Sequence, residues 1–364
     1  MSAIDGDGER GPDGLIEPSG DIAALLIDTH CHPTDDPIAY TCEDQEALSR
    51  EIERAHLWKV VCMSTNARDQ DMVAYLAEAN KDKVVPCFGW HPWFSHQISL
   101  RDPAPSKQEH YTEVFGGASE ELVEIWDQLP DPISIAQVAQ NIARAFERFP
   151  AALLGEVGID RAFRIPRKWW SYDPRAEAAP VQEGSKLTKL KTPPAHQLEV
   201  LRRQIDVALR YGRNVSLHSV QAAGMTVELL DSLRNADPTA FGSIRVSLHS
   251  CTLDNNVVRS VSKKHANVYF GFSSTINRKQ MCKADCLAGL DAQRALLESD
   301  YHTVKDMAAF LFQGVQYFAK TYGMSDVEAA KQLQSNWKRF YSTYPADVRG
   351  ETDSSGSTDS DSSE

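Results

Sequence analysis

Two histidines separated by a single residue, His30 and His32, follow the apolar run Leu25-Leu26-Ile27 in the segment Asp28-Thr29-His30-Cys31-His32. Alternate side chains of a strand share a face, so both imidazoles project from the strand's end towards one point. That arrangement suits a metal ion. One pair carries little weight alone, but further ligand types occur in the same setting. Glu156 ends Ala-Leu-Leu-Gly-Glu, His218 ends Val-Ser-Leu-His, His249 ends a second Val-Ser-Leu-His, and Asp300 follows Ala-Leu-Leu-Glu-Ser. Each of these apolar runs delivers a ligand-type residue at its C-terminal end.

Six such residues are too many for one tetrahedral zinc and suit two divalent ions sharing a carboxylate. His30, His32 and Asp300 are expected to hold the first ion, His218 and His249 the second, and Glu156 to bridge them. Two ions about 3.5–4 Å apart clamp the attacking and leaving oxygens of a displacement and acidify a water. The implied chemistry is metal-assisted hydrolysis, with Asp300 and Glu156 as the catalytic carboxylates and Asp300 as the general base. Asp300 also reads as a helix N-cap. Magnesium, manganese and zinc all fit this donor set. Asp28 is expected to orient an imidazole from behind. His91, in Gly89-Trp90-His91-Pro92-Trp93, is placed at a third strand's end, facing substrate, with Trp90 and Trp93 packing in core or lid.

These positions need strands to carry them. Strand-like runs fall at 24–28, 58–63, 84–88, 152–156, 214–218, 244–249, 267–272 and 293–298, the last placed chiefly by its spacing. Helical patterns fill 44–55, 69–80, 134–148, 196–211, 221–234, 253–265 and 303–342, the last broken near Gly323. Strands alternating with crossover helices predict a parallel sheet, and this repetition favours an α/β fold of the (β/α)8 TIM-barrel type over an open doubly wound sheet. Barrel active sites form at the strands' C-terminal ends, where the candidate ligands lie. Two connections on that face, 92–133 and 160–195, are too long for simple barrel loops and are expected to be lids or insertions.

The net charge is -13, yet it is unevenly spread. Residues 1–21 and 345–364 each carry six acids and one Arg, and both are expected to be disordered acidic tails flanking a catalytic body at 22–344. Segment 161–191 has eight basic residues against three acids, and includes Arg161, Arg164, Arg167, Lys168 and the pair Trp169-Trp170. Charge repulsion therefore does not exclude a phosphate substrate. Arg161 and Arg164 are the candidate substrate contacts, and a solvated insertion is the competing reading of the whole segment. The seven cysteines are odd in number and several sit in apolar runs, so free buried thiols are expected rather than a disulfide framework. Cys282 and Cys286 lack the paired spacing of a zinc module. No membrane-length apolar span or signal peptide is evident, so a soluble protein of cytoplasm or nucleus is expected.

Taken in order, Asp28-Thr29-His30-Cys31-His32, Gly89-Trp90-His91-Pro92, Gly155-Glu156-Val157-Gly158-Ile159-Asp160, the strands ending at His218-Ser219 and His249-Ser250, Gly271-Phe272-Ser273 and Glu298-Ser299-Asp300 resemble the motifs of the TatD family of metal-dependent hydrolases. Asn336-Trp337-Lys338-Arg339-Phe340 resembles that family's closing helix, so the likeness spans residues 24–342. The resemblance implies a barrel of the amidohydrolase superfamily with deoxyribonuclease activity, DNA or oligonucleotide ends as substrate, and the same six metal ligands. It departs after His218-Ser219, where Val220 and Gln221 replace an Arg and an acid, after His249-Ser250, and at Ser299-Asp300-Tyr301-His302. The insertions and tails are similar to a fungal or other eukaryotic branch, some members of which are described through protein partners. Three readings follow: a two-metal phosphodiesterase on DNA, a hydrolase of a small amide, lactone or phosphoester, and a metal-binding barrel acting through protein partners by its insertions or tails.

Overall fold

The computed structural model describes residues 15–35, 42–168, 186–282, 287 and 289–342. Most of both expected tails, the pair Trp169-Trp170 and Cys286 lie outside the described residues. Eight parallel strands form one sheet in chain order: β1 (Ile27–Cys31), β2 (Lys59–Met63), β3 (Val84–Phe88), β4 (Leu153–Asp160), β5 (Val215–Val220), β6 (Val246–Leu248), β7 (Val268–Ser273) and β8 (Ala295–Glu298). The principal helices around it are α1 (Cys42–Arg54), α2 (Ala67–Ala79), α3 (Ile135–Arg148), α4 (Pro194–Tyr211), α5 (Ala223–Ala236), α6 (Asn255–Lys264), α7 (Met307–Tyr322) and α8 (Asp326–Tyr341). The expected (β/α)8 barrel is therefore present, nearly closed.

Local sequence accounts for the boundaries. Asn66 with Asp69 and Ser325 with Glu328 form capping boxes that start α2 and α8. Gly323 ends α7 at φ 67°, a left-handed conformation that glycine adopts without steric cost, which explains the break in the long helical pattern. β4 runs past the expected end at residue 156 to Asp160, because Val157 and Ile159 continue the apolar pattern into buried positions.

A large apolar cluster fills the space between sheet and helices. A second one plugs the barrel: Ile27, Val61, Val85, Leu153, Tyr269 and Leu296 meet Trp337, Phe340 and Tyr341 of α8. Each such side chain contributes roughly 1.5–3 kcal/mol when fully buried. Asn336 fixes this helix against the start of β8 by donating its amide to the Ala292 and Ala295 carbonyls at 2.6 and 2.8 Å.

β1 and β8 meet at the seam that closes the barrel. The Asp300 N–H donates to the His30 carbonyl at 2.9 Å, and the His32 N–H to the Tyr301 carbonyl at 2.8 Å. Side chains extend this seam inward. Thr29 Oγ1 donates to the Leu297 carbonyl at 2.9 Å, and the Asp28 carboxylate accepts both the backbone N–H and the hydroxyl of Ser299. Asp28 thus joins two strands and does not support an imidazole as expected. Its remaining contact is the His30 backbone N–H at 3.2 Å.

The connection 92–133 is not a loop. It holds a 3-10 turn at Pro92–Gln97, helices Lys107–Val114 and Glu120–Glu124, and a strand Ile98–Ser99 paired in parallel with Ile133–Ser134. Ser106 and Ser119 cap its two helices. Its apolar residues Tyr111, Leu122, Ile125 and Leu129 enclose Ile165 and pack with Phe163 and Leu190 from the second insertion. Arg167 pairs with Glu121 at 3.2 Å and also with Glu124. The two insertions therefore form one lobe, and part of the basic segment is neutralised within it. The N-terminal boundary also shifts, since Ile16 packs on the core and helix Gly20–Ala23 buries Ile22 and Ala23 ahead of β1.

Candidate metal centre

All six predicted ligands converge, five of them at or just past the ends of β1, β5, β6 and β8 and Glu156 midway along β4. Glu156 organises them, its two oxygens facing different histidines. Oε2 lies 2.9 Å from His32 Nε2 and 3.3 Å from His30 Nε2, while Oε1 lies 2.7 Å from both His218 Nδ1 and His249 Nε2. Asp300 stands with the first group, its Oδ1 3.9 Å from His30 Nε2 and 3.7 Å from His32 Nε2. The mouth of the barrel adds strain: Gln221, Ser250 and Asp300, just after β5, after His249 and at the last ligand, have φ values of 52°, 39° and 52°. Non-glycine residues adopt this conformation at a cost of about 1–3 kcal/mol, commonly at functional sites.

Glycine permits the closest approach. A Cβ on Gly158 would stand 2.1 Å from the His218 carbonyl oxygen, so β4 comes close to β5 beside the ligand only because that side chain is absent.

The donor set was tested for metal on its own geometry. His30 Nε2 and His32 Nε2 face each other at 3.1 Å, and His218 Nδ1 and His249 Nε2 at 3.0 Å. Nitrogen pairs so placed direct lone pairs at a common point, and tetrahedral bonds of about 2.1 Å would separate ligand atoms by about 3.4 Å. Three compact groups emerge: His30, His32 and Glu156; His30, His249 and Asp300; and His91, Glu156 and His218. The residues fit divalent cations.

Electrostatics agree with that reading at His30 and at the carboxylates, whereas at His218 an ion would have to displace a proton. Burial lowers the His30 pKa to about 3, aided by the neighbouring His249, so the ring is neutral and able to ligate near pH 7. Burial also lowers His91. Burial alone would raise Glu156 and Asp300, but the surrounding imidazoles outweigh it and hold both carboxyls below their ordinary range. His218 is raised to about 10: burial opposes its charge, while hydrogen bonds to Asp160 and Glu156 favour it more strongly. The Asp300 side chain is 12% exposed against 3% for Glu156, so it is the more open of the two, as a general base requires. Ser250 Oγ donates to its Oδ2 at 2.9 Å.

His91 lies deeper than a substrate contact needs to, its Nε2 3.2 Å from Glu156 Oε1 and therefore at ligand distance from the second group. Trp90 is buried core, and Trp93 is half-buried, edge-on to His91 and stacked on Phe163 at 4.8 Å. Arg161 and Arg164 are not part of the cluster. Arg161 is exposed and donates to the Gln221 carbonyl at 3.2 Å, and Arg164 is half-buried. Of the cysteines, Cys31, Cys62 and Cys87 are buried free thiols and Cys251 is half-buried.

Two residues escaped the sequence reading. Ser216 Oγ contacts His30 Nδ1 at 2.8 Å, and Asp160 Oδ2 lies 3.4 Å from His218 Nε2. Both carried a signal: Ser216 is two residues before His218 and Asp160 four after Glu156, so each shares its strand's ligand-bearing face.

A family model described as TatD related DNase matches residues 27–342. The Cut9-interacting protein of Schizosaccharomyces pombe is 26% identical over 345 residues, covering 86% of this chain and 98% of that protein. An uncharacterized deoxyribonuclease of Saccharomyces cerevisiae is 28% identical over 286 residues, covering 76% and 83%. A TatD homolog from Escherichia coli shares the fold with a TM-score of 0.56 at 19% identity, covering 88% of this chain and 99% of that one. The chain belongs to the TatD-related family of hydrolases.

Proposed function

We propose that the chain is a two-metal phosphodiesterase that cleaves DNA or oligonucleotide ends. The observation that carries this reading is the division of Glu156, one oxygen towards His30 and His32 and the other towards His218 and His249. His30, His32 and Asp300 would hold one ion, His218 and His249 the other, with Glu156 between them. Bound there, divalent cations such as magnesium, manganese or zinc would lower the pKa of a water and offset charge on a phosphoryl group.

The chain's own residues supply the remaining functions. Asp300 accepts the proton of the attacking water, Ser250 fixing the carboxylate's orientation. The near-complete burial of the histidines keeps bulk water from the reacting centre. Val220 and Gln221 bring no positive charge to the end of β5, but Arg161 lays its guanidinium on the Gln221 carbonyl. Arg161 thus brings a positive charge to that strand end, and with Arg164 on the same segment it is our candidate for the phosphate contact.

The test is release of label from a 3′-labelled single-stranded oligonucleotide with magnesium, manganese or zinc. Wild type is expected to cut, and Glu156→Ala and Asp300→Asn to lose at least about a thousandfold in rate. No cleavage by wild type with any of the three metals would sink the nuclease reading, and activity surviving both substitutions would sink the assigned site. The fission yeast relative, named for an interaction with Cut9, supports a second role, contact with a protein partner through the insertion lobe. Co-purification by wild type and by Val123→Asp, at an exposed apolar residue of the lobe, would check it.

A further inference from the structure

Asp160 is absent from the ligand set, yet it is among the most heavily bonded carboxylates near the site. Its Oδ1 accepts the backbone N–H groups of Ala162 and Phe163 at 2.7 and 3.0 Å. Oδ2 accepts the indole N–H of Trp93 at 2.7 Å and lies 3.4 Å from His218 Nε2. That nitrogen is buried and closes no hydrogen bond among the described residues, Asp160 Oδ2 being the acceptor that faces it. The other ring nitrogen, Nδ1, points the opposite way, at Glu156 and His249.

We propose that Trp93 and Asp160 act as a positioning relay for His218, through which the insertion lobe sets the affinity of the metal centre's second half. The inference rests on the metal reading above. An imidazole ligates through a lone pair, so its second nitrogen must carry the proton, and an acceptor fixed behind that nitrogen selects the tautomer and the ring angle. Asp160 supplies the acceptor. Its own place is held from two sides. Gln197 of α4 pairs with both backbone groups of Asp160, accepting its N–H at 2.8 Å and donating to its carbonyl at 3.0 Å. Trp93, at the root of the first insertion, holds the carboxylate oxygen that faces the ring.

The relay continues outward. The Trp93 ring stacks on Phe163 of the second insertion, with an interplanar angle of 13°. Phe163 in turn packs on the lobe's apolar core around Tyr111 and Ile165. Movement of the lobe is therefore carried to Trp93, which touches both His91, edge-on, and the Asp160 carboxylate that faces His218. His30 is held differently: Ser216, on the barrel strand β5, contacts its Nδ1.

The experiment compares zinc uptake by the full chain and by Trp93→Phe, which keeps a stacking ring and removes only the N–H donor, and Asp160→Asn. Competition with a chromogenic chelator gives the affinity of each half. Nitrogen-15 spectra of the zinc-loaded protein report the proton on His218 Nε2. One of the two ions is expected to lose about tenfold in affinity in Trp93→Phe and up to about a hundredfold in Asp160→Asn. The other ion should hold within about twofold, and the His218 Nε2 proton should exchange faster with water in Asp160→Asn. Wild-type affinity in both variants, or a zinc-loaded wild type with the His218 proton on Nδ1, overturns the relay. Should Asp160→Asn not fold, Trp93→Phe and the wild-type spectrum decide it. A wild type that takes up no zinc, magnesium or manganese overturns the metal reading itself, a result distinct from uptake unaffected by the substitutions.

Discussion

Glu156 is the residue on which the site turns, because each of its oxygens contacts a separate pair of imidazoles. Replacing one oxygen by an amide removes an acceptor from one pair and presents it with a donor instead. Glu156→Gln is therefore expected to bind at most one ion per chain, and metal analysis of the purified variant checks it; two ions bound at wild-type affinity would contradict the bridging role. The cluster was legible in the sequence because histidines and carboxylates recur at the ends of apolar runs that one barrel brings together. Asp160 and Ser216 were harder to see, since a residue that orients a ligand needs only a polar atom on the correct face. Asp28 was misassigned for a different reason. Its partners, Ser299 N and Oγ, lie 271 residues away across the seam, and no local pattern announces them.

At the level of elements, the seam and α4 hold the strand ends in register. Asp28 is fully buried, and burial pushes its carboxyl up to about 7 against the opposing effect of the Ser299 hydrogen bonds. Asp28→Ala would leave three buried donors without their acceptor, so a loss of about 3–5 kcal/mol is expected by urea unfolding. An unchanged midpoint would show that the backbone bonds alone close the barrel. Gln204 of α4 makes a similar brace for β3, accepting the Trp90 N–H at 2.8 Å and donating to the Trp90 carbonyl at 3.2 Å. Gln204→Leu is expected to cost about 1–3 kcal/mol and to raise hydrogen exchange at Trp90 and His91 selectively. The strands themselves were readable from apolar runs and the helices from their period. The first insertion was not, because its proline and glycine content masks two short helices whose serine caps, Ser106 and Ser119, were nonetheless present.

For the molecule as a whole, the lobe meets the barrel at a cluster of three histidines. His96 Nδ1 contacts the Trp93 carbonyl at 3.0 Å, His110 Nε2 the His96 carbonyl at 2.8 Å, and His196 Nε2 the Ser95 carbonyl at 3.1 Å, so all three hold the turn that carries Trp93. Burial lowers the pKa of each, that of His96 to about 3. Below pH 6.5 the unfolded chain takes up protons that the folded chain refuses, so stability present above that value is lost as pH falls towards 3. For His96 alone the decline between pH 6.5 and 4.5 is about 2–3 kcal/mol. Thermal unfolding over this range should show it, with a shallower acid limb for His96→Asn; identical limbs would remove His96 from the account.

The shared apolar core of the two insertions also bears on inheritance. Ile165, Phe163 and Leu190 from one segment are covered by Tyr111, Leu122, Ile125 and Leu129 from the other, and Arg167 is neutralised across the same boundary by Glu121. Neither segment can be lost in a lineage without stranding the other's greasy face in water. Among natural relatives, the lengths of these two connections should therefore rise and fall together, although residues 134–159 of the barrel separate them along the chain. Lineages that keep one long connection and shorten the other, with no polar replacement of the uncovered residues, would show that the lobe is two ornaments and not one inherited part.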